Sequence, residues 1–198
     1  IIVSRILAIK AKVSKKYLIL SCGVNIEDLS FMDRYKARQE LKMETKRNYV
    51  LFSSSFSNKV KNYALAADAI ELVKNRGIDV ELLELKGYNR KQVGLLMNAV
   101  DCVLVTSFKE SGPLVIKEAM AVNTCAVSLD VGDVKEVTNG TNGYFIATNK
   151  PEDVAKNIRM ALKYGKRTNG RERIIALGLD SVTVAKGIIE IYKKVLRK

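Results

Sequence analysis

Short apolar runs recur along the chain. Each is bounded by turn-forming residues, and most are followed by a longer stretch whose apolar positions fall three and four apart. The runs Tyr17–Ser21, Tyr49–Ser53, Val80–Leu85, Cys102–Thr106, Thr124–Ser128 and Gly143–Ile146 predict strands. Helices are expected over Asp33–Lys42, Val60–Arg76, Arg90–Ala99, Pro113–Val122, Gly132–Thr138, Pro151–Tyr164 and Ser181–Leu196. In the last of these, Val184, Ala185, Ile188, Ile189, Tyr192, Val195 and Leu196 form one apolar stripe. Strand–helix alternation at this spacing predicts an α/β fold, a Rossmann-like parallel sheet with helices on both faces. The segment Ile1–Ser30 precedes the regular alternation and contains the turn-like Cys22-Gly23-Val24-Asn25. It reads as a linker or as the tail of another domain.

Composition narrows the class. With 198 residues, 47% of them hydrophobic, the chain can bury one substantial core. No apolar run approaches the roughly 20 residues that span a bilayer, and no signal-peptide pattern is read at the start. The first residue is Ile1, so the chain reads as a fragment or a processed product. The three cysteines, Cys22, Cys102 and Cys125, lack CxxC spacing. Cys102 and Cys125 fall in apolar runs and are expected in the core, which fits a reducing cytoplasm.

The net charge of +13 implies an affinity for something anionic. Much of the excess is expected as solvated surface: Lys10, Lys12, Lys15 and Lys16; Lys163, Lys166, Arg167, Arg171 and Arg173; Lys193, Lys194, Arg197 and Lys198. Aromatic content is 7% with no tryptophan, and no basic–aromatic strand signature points to nucleic acid. Histidine is absent, which excludes histidine bases, triads and metal ligands within the chain.

Candidate chemistry concentrates in Ser107-Phe108-Lys109-Glu110-Ser111-Gly112-Pro113-Leu114-Val115, directly after an expected strand. Strand, tight turn and helix N-terminus make an anion site in open α/β sheets. Proline suits the first helical turn, Gly112 permits close approach to the backbone, and the N–H groups of Leu114 and Val115 are left for a ligand. Glu118 shares the inward stripe of Leu114 and Ala121. A buried carboxylate needs partners: a ribose diol is one, while backbone N–H groups or a lysine are the structural alternative. Glu110 is either an exposed loop acid or, with Gly112 and Glu118, part of the site.

A second candidate is Ser53-Ser54-Ser55-Phe56-Ser57-Asn58-Lys59-Val60-Lys61. Ser57 or Asn58 is a possible cap, and Lys59 and Lys61 would fall in the first helical turn, where positive charge suits a bound diphosphate. Neither a Walker loop nor GxGxxG is present. A third strand–glycine–helix unit is Leu129-Asp130-Val131-Gly132-Asp133-Val134-Lys135-Glu136. There Asp133 is expected to cap or complement the helix start, and Glu136 is expected to be structural.

These residues resemble the nucleotide-binding C-terminal domain of retaining glycosyltransferases of the GT-B fold, in the large group 1 (family 4-like) class. Glu110 and Glu118 have the family's spacing of two glutamates separated by seven residues. Cys22–Asn25, Lys61-Asn62, Val131–Glu136 and Asn139–Gly143 look like further family landmarks in order, so the resemblance covers about residues 17–196. It implies a division into residues 1–21, the connection to an N-terminal acceptor lobe, and residues 22–198, the donor lobe. It implies that Glu118 binds the donor ribose and that Glu110 acts near the anomeric carbon. Backbone groups at Ser111, Gly112, Pro113 and Leu114 would hold sugar and phosphate, and Lys61 would neutralise the departing diphosphate. Ser55 and Lys86 join the donor-binding set.

The implied reaction moves a sugar from a nucleoside-diphosphate sugar to a glycan, lipid-linked or small-molecule acceptor, without metal or other cofactor. The implied partners are that donor, the other lobe and an acidic membrane surface, with the enzyme cytoplasmic or peripheral at the inner face. Two departures stand out: no arginine lies between Tyr49 and Lys61, where the family has a glycine-arginine pair, and Ser111 replaces a glycine. They leave a second function open, a non-catalytic nucleotide-sugar-binding or scaffolding module with a degraded site.

Overall fold

The computed structural model describes residues 1–2, 8–9, 11–12 and 18–196. Lys10, Lys15, Lys16, Tyr17, Arg197 and Lys198 lie outside the described residues. The elements in chain order are α1 (Arg34–Glu40), β1 (Asn48–Phe52), a 3-10 turn (Lys59–Lys61), α2 (Tyr63–Lys74), β2 (Val80–Glu84), α3 (Arg90–Ala99) and β3 (Cys102–Val105). They continue with α4 (Leu114–Ala121), β4 (Cys125–Leu129), α5 (Val134–Thr138), β5 (Tyr144–Ala147), α6 (Pro151–Tyr164), α7 (Gly170–Ala176) and α8 (Ser181–Leu196).

Among the described residues, five strands pair in the order β2-β1-β3-β4-β5, all parallel. Strands β3 and β4 are buried throughout, as expected of central strands covered on both faces. One apolar cluster joins the sheet to α3, α4, α5 and α7 through Leu51, Val103, Met120 and Ile174. The other joins it to α2 and α6 through Phe52, Leu104, Ile70 and Ile158. The α/β reading therefore holds, and Cys102 and Cys125 are buried as expected. Burial raises both thiols above their ordinary value, Cys125 to about 11.

Four local expectations are corrected. The helix expected over Val60–Arg76 is broken at Asn62, whose φ is +54°. Thr106 Oγ1 donates to the carbonyls of Lys61 and Asn62, and Phe108 N–H donates to Val60 O. These bonds hold the chain against the end of β3, so Lys59 and Lys61 sit in the short turn before α2. Asn58 caps that turn by accepting from Val60 N–H. Next, α7 was not expected, because Arg171 and Arg173 disguise its apolar face. Arg171 turns inward to the carbonyls of Leu29, Ala121 and Ile26. Arg167 donates to Thr124 Oγ1, Met32 O and Asn98 O, and burial lowers its guanidinium to about 10. Neither arginine is the solvated surface charge its sequence context suggests. Finally, the expected strand before Ser21 is reduced, in its described part, to one bridge between Ile2 and Ile19.

The chain enters the fold beside the point where α8 leaves it. Val24 is buried; its N–H donates to Leu179 O, and Ser181 N–H donates to Val24 O. A Cβ on Gly23 would lie 3.0 Å from both Ser181 Cα and Val184 Cγ2. Helix α8 has no buried residue, and Val182, Ile189, Tyr192, Val195 and Leu196 are exposed. Among the described residues no helix is long and apolar enough to cross a membrane.

Candidate functional site

Strand order reverses between β1 and β3, and the loops leaving their carboxyl ends converge there. In open α/β sheets this crevice is where ligands bind. Lys61 Nζ, from the first loop, lies 2.6 Å from Glu110 Oε1, from the second. Ser107 Oγ donates to the same carboxylate oxygen at 2.7 Å. Both members of the ion pair are mostly buried, with side chains 21% and 15% exposed. Two residues 49 positions apart, singled out separately in the sequence, thus share one cluster.

Pro113 is buried and extended (ψ 111°), so it precedes α4 as the N-cap instead of occupying its first position. The helix begins at Leu114, and its first N–H groups have no carbonyl one turn earlier to meet. Ser111 is exposed and Gly112 partly so. After Leu114, α4 is buried on every side, from Val115 to Ala121, including Lys117 and Glu118.

Glu118 points inward as expected, 8% exposed, but its partner is one the sequence did not suggest. Arg90, the first residue of α3, donates Nη1 to Glu118 Oε1. Arg90 itself is 52% exposed, so it closes the carboxylate off from the solvent side. The signal that could have found it is the capping box Asn89–Gln92, which fixes the start of α3 and so the position of Arg90.

Asp133 is a second correction. It makes no capping bond at α5. Its carboxylate accepts from Lys117 Nζ at 2.8 Å, with side-chain exposures of 1% and 3%, and from Ser21 Oγ at 3.0 Å. A lone lysine in an apolar helix is tolerated because this carboxylate meets it.

Ser55 meets a third carboxylate, that of Glu84. Ser55 Oγ and Phe56 N–H donate to Glu84 Oε1 at 2.7 and 2.6 Å. The serine hydroxyl, then the backbone bond, holds the Glu84 carboxyl below its ordinary range. The serine-rich loop is thereby tied to the end of β2. Lys86 is exposed on the loop that follows. A cavity of about 570 Å³ opens against Ser107, Phe108, Asp130 and Lys135.

Residues 81–176 match the family model described as glycosyl transferases group 1. That stretch of the chain is similar to the family. The matched segment contains both glutamates, Arg90, Lys117 and Asp133, while Lys61 and Ser55 lie before it. No curated protein sequence matches the chain.

Solved structures share the fold at low identity. Sucrose-phosphate synthase from Thermosynechococcus elongatus superposes with a TM-score of 0.80 at 19% identity, covering 99% of this chain and 58% of that one. A glycosyltransferase from Rickettsia africae gives 0.79 at 16%, covering 99% and 63%. The Anabaena protein Alr3699/HepE, solved in complex with UDP-glucose, gives 0.69 at 22%, covering 89% and 57%. The chain therefore spans about three fifths of the length of these structures.

Proposed function

We propose that the chain is the donor-binding half of a retaining glycosyltransferase. It would take a nucleoside-diphosphate sugar and pass the sugar to a glycan, lipid-linked or small-molecule acceptor. The observation that carries this reading is the contact between Lys61 and Glu110 across the strand-order reversal, at the N-terminal end of α4. A diphosphate set against the first turn of α4 meets its N–H groups and draws the Lys61 ammonium from Glu110. That places a preorganised cation on the leaving group as its charge develops. Ser107 keeps its hold on Glu110 when the lysine moves, so the carboxylate stays beside the sugar. Glu118 accepts the ribose hydroxyls once Arg90 swings aside, which its exposure allows. The sugar then faces the Phe108 cavity, where an acceptor has room. Lys61 supplies the charge, so no metal enters the scheme, and turnover by the full enzyme is expected to survive EDTA. The exposed apolar face of α8 is the surface on which the other lobe would pack.

Calorimetric titration of the chain with UDP, GDP, ADP, CDP and their sugar conjugates tests the reading. Selective binding is expected, weakened about 10- to 150-fold in Glu118→Ala, as loss of a charged hydrogen-bond partner implies (about 1.5–3 kcal/mol). Lys61→Met should cut diphosphate affinity while sparing the monophosphate. Binding untouched by either substitution in folded protein would remove these roles. The serines at 53–55, with Ser55 engaged by Glu84, favour one second reading, a nucleotide-sugar-binding module that does not turn over. Binding without transfer by the full-length enzyme would select it.

A further inference from the structure

The turn Ser111–Pro113 rests on a buried charge that the scheme above does not use. A Cβ built on Gly112 would lie 3.0 Å from both carboxylate oxygens of Asp133. The carboxylate is therefore pressed against the Gly112 Cα. One residue back, a Cβ on Gly132 would lie 2.9 Å from Gly112 N and 3.0 Å from Pro113 Cδ. The loop Val131–Asp133 and the turn Ser111–Pro113 are thus in backbone contact. Asp133 Oδ2 is satisfied by Lys117 and Ser21, whereas Oδ1 is buried without a partner. Leaving a carboxylate oxygen unpaired beside the turn is costly, and the side chain makes no capping bond at α5 to offset it. The fold accepts the cost where three segments meet: helix α4 through Lys117, the turn through Gly112, and the chain entering the fold through Ser21.

We propose that Asp133, neutralised by Lys117, is the positioning residue of the donor turn. It fixes the backbone of Ser111–Leu114 in the attitude that presents the first N–H groups of α4 to a diphosphate. Lys117 has a second effect. It cancels a negative charge that would otherwise lie directly behind the phosphate position and repel the ligand. This inference rests on the reading of the site as a nucleoside-diphosphate site.

The test compares Asp133→Asn, Lys117→Met and the apolar pair Lys117→Met/Asp133→Leu with the parent chain. Three quantities are read: melting temperature, the ratio of UMP to UDP dissociation constants (GMP to GDP where guanine nucleotides bind instead), and hydrogen exchange at the α4 amides of Ile116 to Ala119. A positioning role predicts that Asp133→Asn accelerates α4 exchange and reduces the UDP-over-UMP preference tenfold or more. Apolar replacement of a buried pair often restores stability. The double variant should therefore regain the parental melting temperature and still lack the diphosphate preference. A double variant with parental stability and parental preference would make the pair a structural element and overturn the proposal. Unchanged α4 exchange in Asp133→Asn would overturn it equally, and that readout needs no ligand. If the parent chain binds no nucleotide, the donor-site reading fails, while the exchange data still decide whether Asp133 holds the turn.

Discussion

Substituting Gly132 by alanine isolates the contact between the two glycine turns. Gly132 has φ +59°, and a side chain there costs about 1–2 kcal/mol from the left-handed conformation alone. The added methyl would lie 2.9 Å from Gly112 N, 3.0 Å from Pro113 Cδ and 3.0 Å from the Ser111 carbonyl carbon. All three belong to backbone or to a proline ring and have no rotamer to escape into, so overpacking adds about 1–3 kcal/mol. The expected destabilisation is about 2–5 kcal/mol, roughly 4–20 °C in melting temperature for a chain of this size. Gly140→Ala is the control. Its φ is +76° and nothing lies within 4 Å of the added Cβ, so it should lose only the conformational part, about 1–2 kcal/mol. Urea unfolding of both variants, with nucleotide titration of each, makes the comparison. Gly132→Ala should also weaken nucleotide binding, because the methyl can be housed only by moving the Ser111–Pro113 turn. Equal destabilisation by the two substitutions, with binding intact in both, would refute the packing argument.

Three further outcomes are expected. Arg90→Ala should leave Glu118 without its guanidinium and lower stability by about 1 kcal/mol or less, since Arg90 is half exposed. Added nucleotide should then raise the melting temperature more than it does in the parent, because ribose no longer competes with arginine; a smaller rise would make Arg90 a ligand contact instead. With a thiol reagent near pH 8 the folded chain should titrate Cys22 rapidly and Cys102 and Cys125 only on unfolding, since burial raises the latter two and Cys22 is exposed. Fast reaction of two or three thiols would contradict the packing around β3 and β4. Glu84 titrates below its ordinary value when folded, so its bonds stabilise above the unfolded value and are lost as pH falls through the folded one. Ser55→Ala should move the NMR-observed Glu84 titration back up toward the ordinary carboxyl range; an unmoved midpoint would place the cause elsewhere.

The fold was legible where period and burial agree. Val103, Leu104 and Val105 form a continuous apolar run because both faces of a central parallel strand are covered, and the alternation with helices followed from the same rule. Boundaries slipped by a residue at strand ends, as at Thr106, whose side-chain hydroxyl ties the end of β3 to the carbonyls of Lys61 and Asn62. The site was half legible. Glu110, Gly112, Pro113 and Glu118 lie within one local motif. The partners that decide what those residues do come from elsewhere in the chain: Lys61 to Glu110, Arg90 to Glu118, Asp133 to Lys117. No local periodicity encodes such pairs. Arg171 and Arg167 show the reverse error, since a surface-like sequence conceals guanidinium groups that close helix and loop carbonyls.

The clip at Val24 has a mechanical consequence. The incoming backbone and the start of α8 are stitched side by side by two hydrogen bonds, with Gly23 close enough to exclude a side chain. A body held by both segments would be slung on two straps and not on a single tether. Two adjacent straps bend readily about one axis and resist swivelling about the line between the bodies. Opening and closing would then be a nod of fixed direction. Ser21, three residues before Val24 and hydrogen-bonded to Asp133, would feel that nod at its pivot.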